Sequence, residues 1–136
     1  MLKQVAALES RIFPDPWSFS ILESMCASST ENIYVATDET DEIVAYCCTQ
    51  SVLDEGEILR IAVAHSMRRK GIGNILLSEV INRMKNNGCK TIFLEVRCEN
   101  RPAISLYESC GFIKISERKD YYAKGEHAAI FKLQLD

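Results

Sequence analysis

The sequence feature that most constrains the fold is the segment at residues 57–88. It begins with a short apolar run at 58–63 that is rich in branched residues, which is typical of a strand. A basic turn with two glycines follows at 68–74. Apolar residues then recur at helical spacing up to Asn87 and Gly88, which form a stop signal; they are Ile75, Leu76, Val80, Ile81 and Met84. The segment therefore predicts a strand, a basic Gly-x-Gly loop and a helix.

This predicted loop is a potential binding site for a phosphate group. A helix N-terminus carries unpaired N–H groups and the positive end of the helix dipole, and glycines let the backbone approach an anion closely. Arg68, Arg69 and Lys70 add positive charge beside Gly71 and Gly73. The alternative is an ordinary strand-to-helix turn with solvated basic side chains, and the pattern alone leaves both open. The nucleoside-triphosphate and dinucleotide motifs fit worse, because the second glycine is followed neither by Lys-Ser/Thr nor by a third small residue.

Size and composition are those of one globular domain covering residues 1–136. The chain is long enough for a single core, and its hydrophobic and charged fractions are 47% and 26%. The net charge of −3 argues against direct nucleic-acid binding. No apolar run is long enough to span a membrane, and the first residues lack the apolar core of a signal peptide. We therefore expect a cytoplasmic protein without a membrane partner, as a monomer or weak dimer.

The cysteines and histidines predict neither a metal site nor a disulfide framework. The chain has six cysteines and two histidines, and no two cysteines form a C-x-x-C motif. Several cysteines lie in apolar segments, where a free thiol behaves as a small hydrophobic side chain. We therefore expect reduced cysteines and no bound metal.

The rest of the chain predicts helices and strands that complete one α/β (α+β) domain. Predicted helices cover 2–13, a segment that begins at the N-cap Ser18, and a short segment from Pro102. Further strands are predicted at 32–37, 42–52, 90–97, 112–116 and 127–135, with a polar loop at 118–126. The helix between the strands at 58–63 and 90–97 predicts a right-handed βαβ unit with parallel strands. The expected architecture is a mixed sheet flanked by helices.

Several motifs occur in an order that resembles a known family. Arg68, Gly71 and Gly73 match the pyrophosphate-binding motif Arg-x-x-Gly-x-Gly of the GNAT acyl-CoA N-acyltransferases. From about Gln4 to the C-terminus the chain resembles one GNAT subgroup, the RimI-type ribosomal-protein alanine N-acetyltransferases. The motifs that carry this closer resemblance are Phe13-Pro14, Trp17-Ser18, Leu94-Glu95-Val96-Arg97, Asn100, Ala103, Leu106-Tyr107-Glu108, Gly111-Phe112 and Tyr121-Tyr122.

The resemblance implies a fold, a reaction and two catalytic residues. The implied reaction transfers an acetyl group from acetyl-CoA to a protein N-terminus, by resemblance an alanine of a small-subunit ribosomal protein. Glu95 matches the general base that takes a proton from the amine, whose ordinary pKa is about 8. Tyr107 matches the general acid that protonates the leaving thiolate. The alternatives are a Glu95 that is exposed or paired with Arg97 or Arg60, and a Tyr107 that only fills the core.

The resemblance also implies binding residues. The backbone of Ile61, Ala62 and Val63 is expected to pair with the pantetheine arm. Asn100 is expected to reach the CoA arm, unless it only caps the following helix. Acceptor binding is expected of Tyr121, Tyr122 and Arg60. The pyrophosphate is expected on the loop formed by Arg68, Arg69, Lys70, Gly71, Ile72, Gly73 and Asn74.

Two departures from the family leave the acceptor less defined than the acetyl donor. The family usually begins with a strand, whereas this sequence begins with a predicted helix, so the first strand has no counterpart here. Arg60 stands where the subgroup more often has an uncharged polar residue. Two other functions stay open: a GNAT enzyme that acetylates a small-molecule amine or an antibiotic, and a non-catalytic acyl-CoA-binding module.

Overall fold

The structure is a computed structural model that describes all 136 residues. Four α-helices, one 3-10 helix and six strands follow one another in the order α1 (Leu2–Ile12), α2 (Phe19–Ala27), β1 (Glu31–Thr37), β2 (Ile43–Val52), β3 (Glu55–Val63), the 3-10 helix (His65–Met67), α3 (Ile72–Asn86), β4 (Thr91–Arg97), α4 (Arg101–Ser109), β5 (Ile113–Ala123) and β6 (Glu126–Gln134). No strand precedes α1, and none of the helices is long and apolar enough to cross a bilayer.

Helices α2 and α4 begin at the caps that the sequence predicts. The Ser18 side-chain oxygen accepts a hydrogen bond from the Ile21 N–H at 3.2 Å, which satisfies one of the free donors at the start of α2. The Asn100 side chain does the same for α4, where Pro102 occupies the first turn. These local signals fix the starts of both helices.

The six strands form one mixed sheet in the order β1-β2-β3-β4-β6-β5. Only β3 and β4 are parallel, as the predicted βαβ unit requires, and all other neighbours are antiparallel. Helices α3 and α4 cover one face, in a cluster that includes Leu77, Ile92 and Leu94. Helices α1 and α2 cover the other face, where Leu22 and Tyr46 are fully buried. This mixed α/β architecture confirms the predicted fold class.

The prediction of a polar loop at 118–126 was wrong, because β5 continues to Ala123. Every residue of β5 is exposed, so the sequence shows no alternation of buried and exposed positions from which a strand could be recognised. The backbone ladder to β6 holds it instead, with Arg118 opposite Ala128 and a register shift before Ala123. The turn to β6 is therefore only two residues long.

Candidate active site

The site is built around a gap that opens between β3 and β4. Their parallel ladder begins at Glu55 opposite Thr91 and ends at Ile58 opposite Leu94. Both strands continue beyond that point, to Val63 and Arg97, without pairing to each other. The edge of residues 61–63 that faces β4 therefore has no partner strand. Backbone donors and acceptors in such an edge are available to a ligand.

A cleft of about 910 Å³ extends from this gap to the start of α3. Ten of the eleven residues predicted to bind acetyl-CoA line it: Ile61, Ala62, Val63, Arg68, Arg69, Gly71, Ile72, Gly73, Asn74 and Asn100. The exception is Lys70, which is exposed beside the sulfur of Met67. Seven further residues line the cleft that were not predicted to bind the donor: Ile12, Phe13, His65, Met67, Pro102, Ala103 and Leu106.

The loop before α3 presents the N-terminus of this helix to the cleft. Gly71 precedes the first helical residue with a φ of 77°, in the left-handed region that glycine adopts without strain. The Arg68 Nε donates to the carbonyl oxygen of Val63 at 3.2 Å, which ties the loop back to β3. The Asn74 side-chain amide donates to Ser109 at 2.7 Å and joins α3 to α4. The arrangement is suited to an anion, since helix N–H groups and arginines converge there.

Asn100 caps α4 and lines the cleft at the same time. Its Oδ1 accepts from the Ala103 N–H at 3.3 Å. This contact uses the oxygen of the side-chain amide and leaves its NH₂ group free of protein partners. The cap and the predicted contact with CoA are therefore compatible.

Glu95 lies on β4, and its side chain is 30% exposed. Its neighbour is Arg118, for which the sequence predicted no role. Glu95 Oε1 is 3.5 Å from Arg118 Nη1. A hydrogen bond to Glu95 and its negative charge raise the pKa of Tyr121. Glu57 lies on the same face, because it pairs with Phe93, two positions before Glu95 in β4. Burial and, to a smaller extent, the negative charge of Glu95 raise the pKa of Glu57. Two carboxylates and one guanidinium thus meet at the gap.

The two pairing alternatives for Glu95 do not occur in the structure. Arg97 Nη1 is 3.0 Å from Oε1 of Glu126. Arg60 Nη1 is 2.5 Å from Oε2 of Glu9. Glu95 is therefore left to Arg118.

Tyr107 is buried in α4, where its ring packs edge-on against Phe112 with 5.9 Å between the ring centres. Burial raises the pKa of Tyr107, so its hydroxyl stays protonated at neutral pH. Tyr107 and Glu95 do not line the cleft, although the neighbouring Leu106 does. Both side chains therefore lie outside the cleft.

The two tyrosines of β5 form a small aromatic group over the arginines. The rings of Tyr121 and Tyr122 meet edge to face with 5.0 Å between their centres. The Arg97 guanidinium lies 4.0 Å from the ring centre of Tyr122, and that of Arg118 lies 5.4 Å from Tyr121. These contacts bring the predicted acceptor-binding tyrosines to the same face as Glu95.

Arg60 points toward α1, where it pairs with Glu9 and not with Glu95. Its guanidinium lies between the rings of Phe13 and Trp17, 4.1 and 4.2 Å from their centres. Its partner Glu9 is completely buried, a position that sequence reasoning did not single out. No group of three or more His, Cys, Asp or Glu side chains is arranged to hold a metal ion.

Comparison with known proteins gives the class of protein. The chain belongs to the acetyltransferase (GNAT) family, whose model matches residues 2–112. Members of this family are acetyl-CoA-dependent N-acetyltransferases. The chain is 37% identical over 125 residues to the ribosomal protein bS18-alanine N-acetyltransferase of Salmonella typhimurium, covering 90% of this chain and 83% of the relative. The protein of that name from Escherichia coli is 38% identical over 117 residues, which are 85% of this chain and 76% of the relative.

Solved structures agree with this assignment. The crystal structure of the ribosomal-protein-S18-alanine N-acetyltransferase from Escherichia coli is similar with a TM-score of 0.90 and 33% identity, over 99% of this chain and 88% of that one. Arabidopsis thaliana NAA60 in complex with acetyl-CoA has a TM-score of 0.86 over 98% of this chain and 92% of that one. At 18% identity, this second likeness supports the fold alone.

Proposed function

We propose that this enzyme transfers the acetyl group of acetyl-CoA to the N-terminal α-amine of a protein, with the alanine terminus of ribosomal protein S18 as the acceptor. The observation that carries the proposal is the gap between β3 and β4, with the donor cleft on one side and Glu95 on the other. Relatives that are 37% and 38% identical carry the name of this activity and are covered over most of their length.

Acetyl-CoA is the proposed donor in the cleft. The free strand edge at 61–63 is suited to the amide groups of a pantetheine arm, which pair as another strand would. The loop at 68–74 and the first N–H groups of α3 are suited to the pyrophosphate. With the pyrophosphate there, the acetyl end of the donor lies toward Ile61 and the gap.

The proposed mechanism uses Glu95 as the general base. Glu95 first takes the proton of the acceptor ammonium, directly or through a water molecule, and the neutral amine then attacks the carbonyl carbon of the thioester. The proton that the nitrogen loses after the C–N bond forms passes to solvent. The second carboxylate at the gap, Glu57, favours the approach of a cationic terminus over that of a neutral group. Arg118 balances part of this negative charge while no acceptor is bound.

Tyr107 is the proposed general acid. When the tetrahedral intermediate collapses, the C–S bond breaks, and the thiolate of CoA takes the hydroxyl proton of Tyr107. The hydroxyl of Tyr107 is protonated at neutral pH, as a general acid must be before the step, because an ordinary tyrosine pKa is about 10 and burial raises that of Tyr107 further. Its position on α4, next to a residue that lines the donor cleft, is consistent with a contact to the leaving sulfur.

Conservative substitutions test both roles. Glu95→Gln and Tyr107→Phe are each expected to lower kcat by about 10²- to 10⁴-fold, the usual contribution of acid–base catalysis. The Kd for acetyl-CoA, measured by calorimetry, is expected to stay within about threefold, because neither side chain lines the cleft. Glu108→Gln, an exposed change beside Tyr107, is the matched control. Full turnover in either test variant would remove that residue from the mechanism.

A further inference from the structure

A buried ion pair outside the proposed chemistry joins helix α1 to strand β3. Glu9 is completely buried, and three groups donate hydrogen bonds to its carboxylate. The Tyr46 hydroxyl donates to Oε1 at 2.5 Å, and the Trp17 backbone N–H donates to Oε2 at 2.7 Å. Arg60 Nη1 donates to Oε2 at 2.5 Å. Glu9 is thus held by β2, by β3 and by the connection between α1 and α2.

A β-bulge explains why Arg60 points toward α1. The β2–β3 ladder pairs Cys48 with Arg60 and Thr49 with Ile58, which leaves Leu59 as an extra residue in β3. A bulge of this kind turns the following side chain to the other face of the sheet. Without it, Arg60 would share a face with Ile58, which packs in the core under α3. The bulge instead places the guanidinium between Phe13 and Trp17.

Stability alone gives a weak reason for this pair. Removing a carboxylate and a guanidinium from water costs much of what their attraction returns, and apolar replacements of buried pairs are often neutral or stabilising. What the pair does provide is a fixed geometry, because a planar guanidinium stacked on two rings is held in both direction and distance. The rings that it holds belong to the α1–α2 connection, a segment without helix or strand structure.

That connection forms part of the cleft. Phe13 and the preceding Ile12 line it, together with Ile61, the residue that follows Arg60. Ile12 also borders His65 and Arg68, whereas Phe13 packs on Arg60 and so lies at the Ile61 end of the cleft, the end farthest along β3 from the loop that is suited to pyrophosphate. It is therefore the end where the acetyl group and the acceptor terminus would meet.

We infer that Glu9 and Arg60 are positioning residues that hold the α1–α2 connection, so that Phe13 forms a preformed wall at the acetyl end of the cleft while Trp17 packs on the same guanidinium. This inference rests on the proposed function for the site and adds a residue pair that neither contacts CoA nor moves a proton. The pair hereafter is called the Glu9–Arg60 latch. Because the carboxylate neutralises Arg60, the wall presents aromatic surface, which suits a small uncharged first side chain on the acceptor. Breaking the latch weakens acceptor binding and leaves the pyrophosphate end unchanged.

The decisive variant is the double substitution Glu9→Gln/Arg60→Met. Arg60→Met alone leaves a buried unpaired carboxylate and can prevent folding. The double variant removes both charges, and the amide introduced by Glu9→Gln can accept from the Trp17 N–H with its oxygen while its NH₂ group donates to the Tyr46 hydroxyl, which can act as an acceptor. We expect a melting temperature close to that of the parent, while the acceptor KM rises about three- to tenfold, the worth of a stacked guanidinium. The Kd for acetyl-CoA is expected to stay unchanged.

Fluorescence reports directly on the contact between Arg60 and Trp17, because Trp17 is the single tryptophan of the chain. In the parent, Arg60 covers its ring, and quenching by acrylamide is expected to be weak. In the double variant, quenching is expected to increase. The matched control is Glu79→Gln/Arg83→Met, which makes the same chemical changes in an exposed pair on α3 and is expected to alter neither KM nor quenching.

The results separate the latch from the proposed function. A folded double variant with the acceptor KM and the quenching of the parent would overturn the latch. A parent enzyme that acetylates no peptide would overturn the proposed function, and the quenching experiment would then still test whether Glu9 and Arg60 hold the α1–α2 connection. A KM increase that follows a loss of melting temperature, and that appears equally in the Glu79→Gln/Arg83→Met control, would also overturn the positioning role.

Discussion

Replacing Gly73 by alanine is expected to stabilise the free protein and to weaken acetyl-CoA binding. Gly73 is the second residue of α3, where alanine is favoured over glycine. A methyl group there would meet Leu106 and Val63 side-chain atoms at 3.5 Å, which is ordinary contact distance. Nothing in the free protein therefore opposes the change. Binding of the proposed donor would oppose it, because an added methyl group at Gly73 is expected to hinder the close approach of the backbone to the pyrophosphate.

The structure allows both effects to be estimated. Alanine in place of glycine in a helix contributes about 0.5–1 kcal/mol to the free energy of unfolding. For a domain of 136 residues this corresponds to a rise in melting temperature of about 2–4 °C. A displaced hydrogen bond between an N–H group and a charged phosphate costs about 1.5–3 kcal/mol. The Kd for acetyl-CoA should therefore increase at least about tenfold.

Thermal unfolding without ligand and calorimetric titration with acetyl-CoA measure the two effects separately. Gly71→Ala is the matched control for the first, because its φ of 77° strains alanine and should lower the melting temperature. A Gly73→Ala protein that is more stable and binds acetyl-CoA with parental affinity would refute the assignment of the anion site. A less stable Gly73→Ala protein would refute the packing argument.

Two further predictions concern stability. Gly56→Ala is expected to lower the free energy of unfolding by about 1–3 kcal/mol, because the added methyl group would overlap Cε of Met84, which is buried and would have to repack, and would also press on Sγ of the buried Cys89 at 3.2 Å; an unchanged midpoint in urea would contradict this. Above about pH 10 the unfolded state releases the Tyr107 proton while the folded state keeps it, so the free energy of unfolding should fall by about 1.4 kcal/mol per pH unit. Tyr107→Phe should make the free energy of unfolding fall less steeply with pH, because this variant has no hydroxyl to titrate. Urea unfolding from pH 9 to 11 measures the slopes, and equal slopes for the parent and the variant would contradict the prediction.

The order of elements could be predicted where local signals agree. Ser18 caps α2, Pro102 occupies the first turn of α4, and Gly71 precedes α3, each through contacts within a few residues. The second half of β5 could not be predicted, because every residue of this strand is exposed and its sequence there lacks the alternation of apolar and polar residues that identifies a strand. Capping and turn residues thus define most of the helix boundaries. A strand that is held only by backbone hydrogen bonds to its neighbour has no such signal in the sequence.

The lining of the cleft was largely predictable from the sequence, and the surroundings of Glu9 and Arg60 were not. The cleft residues are contiguous along β3 and the loop before α3, so one motif identifies most of them. Glu9 could not be identified, because its partners Tyr46 and Arg60 are 37 and 51 residues away in the sequence. The direction of Arg60 depends on a bulge that only the strand register reveals.

The most direct test of the central claim is acetyl transfer measured as thiol released from acetyl-CoA. The acceptors are a peptide with the alanine terminus of ribosomal protein S18, the same peptide with a blocked N-terminus, and a panel of small amines. Turnover is expected on the free peptide alone, and it should be lost in Glu95→Gln. Turnover on the small amines, together with no turnover on the free peptide, would contradict the proposed acceptor. The absence of turnover on every acceptor, despite tight binding of acetyl-CoA, would contradict the proposed acetyl transfer.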